Sequence, residues 1–138
     1  MKINALILVV TATLAFSSCK KAECDCEPEN TLDGEWQMER VYGGLMGIDL
    51  NYAPNEVTWD FNSSQNTVDV TNNILTTGPK STYARFSTGV YAYYTQNING
   101  ADYLFIDSTE IGIYAINNTK LMIDDGLAAD GFITEFVR

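Results

Sequence analysis

From Leu32 onward the chain is dominated by short runs in which apolar and polar residues alternate. Residues 56–61 set Val57, Trp59 and Phe61 against Glu56, Thr58 and Asp60, and Val68 and Val70 then stand against Thr67, Asp69 and Thr71. A period of two is the signature of a half-buried strand, and the polar stretch Ser63–Asn66 between the two runs reads as a hairpin turn. In residues 35–42, Trp36, Met38 and Tyr42 fall on one face with Arg40, while Gln37 and Glu39 fall on the other. Residues 89–95 carry Tyr91 and Tyr93 opposite Val90, Ala92 and Tyr94. Tyr103–Ile106, Ile111–Ile116, Leu121–Ile123 and Phe132–Val137 follow, separated by Asn-, Asp- and Gly-containing turns. No window carries a helical stripe of helix length. The pattern predicts an all-β domain of eight strands at meander spacing. Such a chain closes as a small eight-stranded up-and-down antiparallel barrel, which also removes the sheet edges that invite aggregation. A two-sheet sandwich is the structural alternative.

Two segments interrupt the alternation. Residues 43–54 combine Gly43, Gly44 and Gly47 with Leu45, Met46, Ile48 and Leu50, and residues 73–88 mix Ile74, Leu75, Gly78-Pro79, Tyr83 and Phe86. Long apolar loops in compact domains are functional covers or short extra strands, and both options stay open at this level.

Ahead of Leu32 the pattern changes. Lys2 precedes an apolar run, Ala5 to Phe16, broken only by Thr11 and Thr13. It is shorter than the roughly 20 apolar residues that span a bilayer, so residues 1–18 read as a secretory signal peptide. The run ends in Phe16-Ser17-Ser18-Cys19, which resembles the lipobox of bacterial lipoproteins, with Phe16 where Leu is usual. That resemblance implies lipid acylation of Cys19, an outer-membrane anchor, and leaders of the Bacteroidota kind. Residues 19–31 are polar, with charges, a proline and no apolar period, and read as an acidic tether. The periplasmic and surface faces both remain open. Cys24 and Cys26 are a local disulfide or idle thiols, because two thiolates with no further Cys or His make a poor metal site. The folded domain is then residues 32–138.

Composition narrows the function classes. The formal net charge is −10, with a pI near 4.1, which repels nucleic-acid phosphates and excludes nucleic acid as a partner. The sequence contains no His, which removes His-based acid–base catalysis, Ser-His-Asp triads and His-ligated zinc. Apolar residues make up 46%, too many for a disordered chain despite the acidity.

With the strands placed, the ordered set Leu32-x-Gly34-x-Trp36, Val57-x-Trp59-x-Phe61, Gly89-x-Tyr91-x-Tyr93, Leu121-x-Ile123, Asp130-Gly131 and Phe136-Val137-Arg138 resembles the lipocalin-like domains of Bacteroidota lipoproteins. The resemblance covers essentially all of residues 32–138. It implies that the strand-one Trp36 packs beneath Arg138, guanidinium on indole, with Gly34 beside them as the structural closure of the barrel.

The first functional expectation is a binding module without catalysis or cofactor. Its barrel would hold a small apolar or amphipathic ligand against Trp36, Tyr42, Trp59, Phe61, Tyr91 and Tyr93, with the glycine loop 43–50 as a lid. Against it stands the possibility that these bulky side chains simply fill the barrel. The second expectation is an interaction lipoprotein with a filled barrel that docks an envelope protein, through outward Tyr94, Met122 and the loop 45–54. An enzyme has the least support: Glu39 and Asp60 alternate outward, and Arg40 and Glu135, if inward, would need opposite charges. Asp124-Asp125-Gly126 with Asp130 could offer oxygen ligands to calcium but reads as ordinary turn chemistry, so no metal is expected.

Overall fold

The structure, a computed structural model, describes residues 30–138. Residues 1–18, expected as a signal peptide, and the expected tether with Cys19, Cys24 and Cys26 lie outside the described residues, which begin at Asn30. Among these residues nine strands form: β1 (Gly34–Gly43), β2 (Ile48–Asn51), β3 (Val57–Asn62), β4 (Thr67–Asn72), β5 (Gly89–Ile98), β6 (Ala101–Ile106), β7 (Thr109–Asn117), β8 (Lys120–Asp124) and β9 (Phe132–Val137). All pairings are antiparallel, and neighbours follow chain order from β3 to β9. β1 pairs with β9 along one edge, Gln37 opposite Val137 through Gly43 opposite Phe132, which closes an eight-stranded up-and-down barrel.

The extra strand is β2. The other edge of β1 is divided between two partners: Gly34–Gln37 pair with β3 and Arg40–Gly43 pair with β2. Residues 43–50, expected as a lid, are therefore mostly a tight hairpin, with Gly43, Gly44 and Gly47 all at positive φ. Gly44 is held where a Cβ would stand 2.8 Å from the Phe132 ring. Ile48 and Leu50 carry too short an alternation to be told from a loop until β1 offers an edge.

The second irregular segment, 73–88, is the actual cover. It contains one short helix, α1 (Pro79–Tyr83), started by a proline whose missing N–H costs nothing in a first turn. Ala84 is fully buried, and Ile74, Tyr83 and Phe86 pack on the core beneath it. Tyr52 joins them, its hydroxyl donating to the Lys80 carbonyl at 3.0 Å.

The barrel interior is filled. Trp36, Val57, Trp59, Val68, Val70, Leu104, Ile106, Leu121 and Phe136 lose essentially all solvent contact, and Trp59 lies against the Phe61, Phe86 and Phe136 rings at 4.9–6.1 Å between centroids. Among the described residues, two interior polar atoms, Trp59 Nε1 and Thr134 Oγ1, have no hydrogen-bond partner. Alternation holds on β3, β4, β5 and β8 as the sequence predicts, but it breaks on β1. The register with β9 shifts between Met38 and Arg40, a bulge at Glu39 that moves every later side chain to the opposite face. Val41 is buried as a result, and Arg40 and Tyr42 lie on the outer surface.

Candidate functional site

At the barrel end that holds both Leu32 and Arg138, the chain entering β1 crosses beneath the core. Trp36 Nε1 donates to the Leu32 carbonyl at 2.7 Å, and the Arg138 guanidinium stands 4.3 Å from the Trp36 ring centroid. The same guanidinium donates to the carbonyls of Asp33 (3.2 Å), Asn118 (3.3 Å) and Thr31 (3.4 Å). Gly34, at φ +100°, is the bend by which this segment turns into β1. Asn30 Oδ1 also accepts the Asn118 N–H at 3.0 Å, so ordered contacts begin before Leu32.

Above this plug the wall opens into a cleft of about 570 Å³. One side is the entering segment Asn30–Asp33 with Ser63 and Asn66 of the β3–β4 turn; the other is Tyr93, Tyr94 and Thr95 of β5 with Tyr114 and Ile116 of β7. Asp33 ties the first side together, its carboxylate accepting the Ser63 N–H at 2.6 Å. That hydrogen bond holds the Asp33 carboxyl below the usual carboxylate range. The Tyr93 and Tyr114 hydroxyls are pushed upward, first by burial and, for Tyr93, also by the nearby Asp33 charge. Both therefore stay protonated near neutral pH and can donate or accept hydrogen bonds. Among the described residues, no residue lining the cleft is basic.

Of the six aromatic residues that the sequence suggests as a ligand wall, Tyr93 alone lines this cleft. Trp36, Trp59 and Phe61 are packed into the core. Tyr91 leans on Phe86 with ring centroids 5.0 Å apart and donates to the Ser87 carbonyl at 2.9 Å. Tyr42 lies outside, with Arg40 4.6 Å from its ring centroid and its hydroxyl 3.4 Å from Glu135. Arg40 and Glu135 are thus outer-surface groups; the Arg40 charge is met by Asp49 of β2 in a two-point contact at 2.8 Å. The cleft also sits at the Trp36 end, whereas the glycine turn is at the opposite end. Tyr94, at the cleft, and the exposed tip Leu45-Met46 consequently lie at opposite ends of the barrel.

The acidic turn spends its carboxylates on backbone N–H groups and on Arg85. Asp124 accepts the N–H groups of Gly126 and Leu127, each at 2.8 Å, and Asp125 accepts Phe132 N–H and Arg85. Among the described residues no group of three or more metal-ligating side chains gathers. Sequence reading missed Asn30, Thr31, Ser63, Asn66 and Tyr114 because the cleft arises where strands of unequal length end, which no single stretch encodes. No family model, no curated protein and no solved structure matches the chain.

Proposed function

We propose that this chain is a cell-envelope lipoprotein of the lipocalin-like kind, lipid-anchored through Cys19, which binds without doing chemistry. Its partner is an envelope protein docked at the cleft between Asn30–Asp33 and Tyr93–Thr95. The observation that carries this reading is the filled barrel: Trp36, Trp59, Phe61 and Phe136 occupy the space a lipocalin ligand would need. A binding role then falls to the surface concavity, whose Tyr, Asn, Ser and Thr side chains combine ring area with hydrogen bonding, as protein-binding surfaces do. A small amphipathic ligand in the same cleft is the second reading, favoured by a volume within the range of about 300–1,000 Å³ common to small-molecule sites.

Two measurements on the full chain test the proposal. Cys19→Ser should release the protein from the membrane fraction and abolish fatty-acid labelling. A photo-crosslinker at Thr95 should give a discrete protein adduct in cells that the same group at Thr71, on the outer face of β4, does not give. Equal adducts from both positions would remove the cleft from the function. An apolar fluorophore that quenches Trp36 and Trp59 emission would return binding to the barrel interior.

A further inference from the structure

β5 outruns the strand beside it. Its pairing with β4 runs from Gly89 opposite Val70 to Ala92 opposite Thr67, and ends as Tyr93 N–H donates to the Asn66 carbonyl at 2.9 Å. Its pairing with β6 continues to Ile98 opposite Ala101. Among the described residues, Tyr94–Ile98 therefore has a strand on one side only. In an antiparallel strand, both backbone groups of a residue point to the same side, and the side alternates along the chain. Tyr93 faces β4, whereas Ala92 faces β6, its carbonyl accepting Asp107 N–H at 2.9 Å. Thr95 and Asn97 consequently aim both N–H and C=O at the open side.

Natural sheets blunt such edges with charges, prolines or bulges. Tyr94-Thr95-Gln96-Asn97-Ile98 has no charge and no proline, and its pairing with β6 shows no register shift. β2 also has an open side, but it is only four residues long and carries Asp49. The unprotected edge of β5 borders the cleft, with Ser63 and Asn66 facing it across the gap.

We propose that the cleft takes an extended peptide segment of the partner protein, which adds to the sheet as a strand along Thr95 and Asn97. This rests on the reading of the cleft as a docking site and names how the docking occurs. Charge selects the occupant: Asp33 is in the wall, none of the described lining residues is basic and the chain carries −10 overall, so the segment is neutral or basic. A second copy of this chain brings the same negative charge and is disfavoured.

The probe is the peptide Lys-Thr-Val-Thr-Val-Thr-Lys, titrated into the full chain by calorimetry, with hydrogen exchange read residue by residue. Binding should slow exchange at the Thr95 and Asn97 amides and leave β2 unchanged. N-methylation of the peptide nitrogens facing the edge should weaken binding at least about tenfold, since each lost backbone bond removes on the order of a factor of five to ten. This control needs no variant protein. Thr95→Pro should have a similar effect, because that N–H is not used in pairing with β6 and proline is tolerated on such an edge. Equal binding of the methylated peptide would overturn strand addition while leaving cleft docking intact. No binding of the probe, or equal binding of a peptide with Glu at both ends, would overturn the proposed occupant. A dimer of the protein alone that Thr95→Pro dissolves would assign the edge to a second copy instead.

Discussion

Tyr52 shows how one hydroxyl can report on the barrel's covered end. Its ring is buried beneath the 73–88 cover, and burial pushes its pKa up to about 12, with a smaller contribution from Glu56. In the unfolded chain the same phenol ionises near its ordinary value of 10.0. The folded state therefore favours the protonated form. Its contribution to stability is present in full below pH 10 and is lost as pH rises through about 12. Tyr52→Phe should cost about 1 kcal/mol at pH 7 through the lost bond to the Lys80 carbonyl. That deficit should shrink in urea titrations taken between pH 10 and 12, since the Phe variant has no proton to lose. A deficit that grows over this range would contradict the assignment. Tyr42 teaches a second lesson at this scale. Its alternation with Trp36 and Met38 is plain in the sequence, yet one bulged residue, Glu39, places it outside beside Arg40 and Glu135.

Strand ends and turns decide more than strand interiors do. The loops Asn99-Gly100 and Asp107-Ser108 each hold two residues at positive φ, the twist that matches paired antiparallel strands, and they join β5 to β6 and β6 to β7. Gly112 is a different case. It sits in β7 at φ +142°, opposite Leu104 beside the register shift in the β6–β7 pairing, and a Cβ there would stand 2.3 Å from the Asp124 carbonyl oxygen. Gly34, at φ +100°, has nothing within 4 Å of the same position. Gly34→Ala should cost only the backbone term, roughly 1–2 kcal/mol, whereas Gly112→Ala adds a backbone collision and should cost about 3 kcal/mol or more. Denaturant midpoints of the two variants test this, and equal losses would show that β7 can shift away from β8. Two-residue turns are legible as Asn-Gly and Asp-Ser; the demand for glycine at 112 is not, because it comes from β8.

For the whole molecule, charge is the term the fold does not neutralise. Acidic side chains outnumber basic ones eighteen to eight, and among the described residues the pairs Arg40–Asp49, Lys120–Glu39, Lys80–Glu56 and Arg85–Asp125 use four of those eight. Exposed pairs contribute little, while net repulsion acts over the whole surface. Raising ionic strength from about 10 mM to about 150 mM shortens the screening length from roughly 30 Å to roughly 8 Å. The melting temperature should rise by roughly 2–4 °C, a change of about half a kcal/mol. A fall on adding salt would mean that the ion pairs outweigh the repulsion.

Alternation and turn residues are enough to specify an all-β chain of strands joined by short turns, because a period of two and turn chemistry are local properties. They also indicate which aromatic residues on β3 and β5 face inward, since alternation without a bulge preserves the face. Long-range packing is what makes β1 bulge at Glu39, residues 48–51 become a strand, and residues 73–88 form the cover. Each of those depends on a neighbour far away in the chain: β9 for the bulge, β1 for the extra strand, the open barrel end for the cover. The cleft belongs to the same class. It exists because β5 continues past β4 while Asn30–Asp33 crosses beneath Trp36, a mismatch of lengths that appears only when the strands are laid side by side.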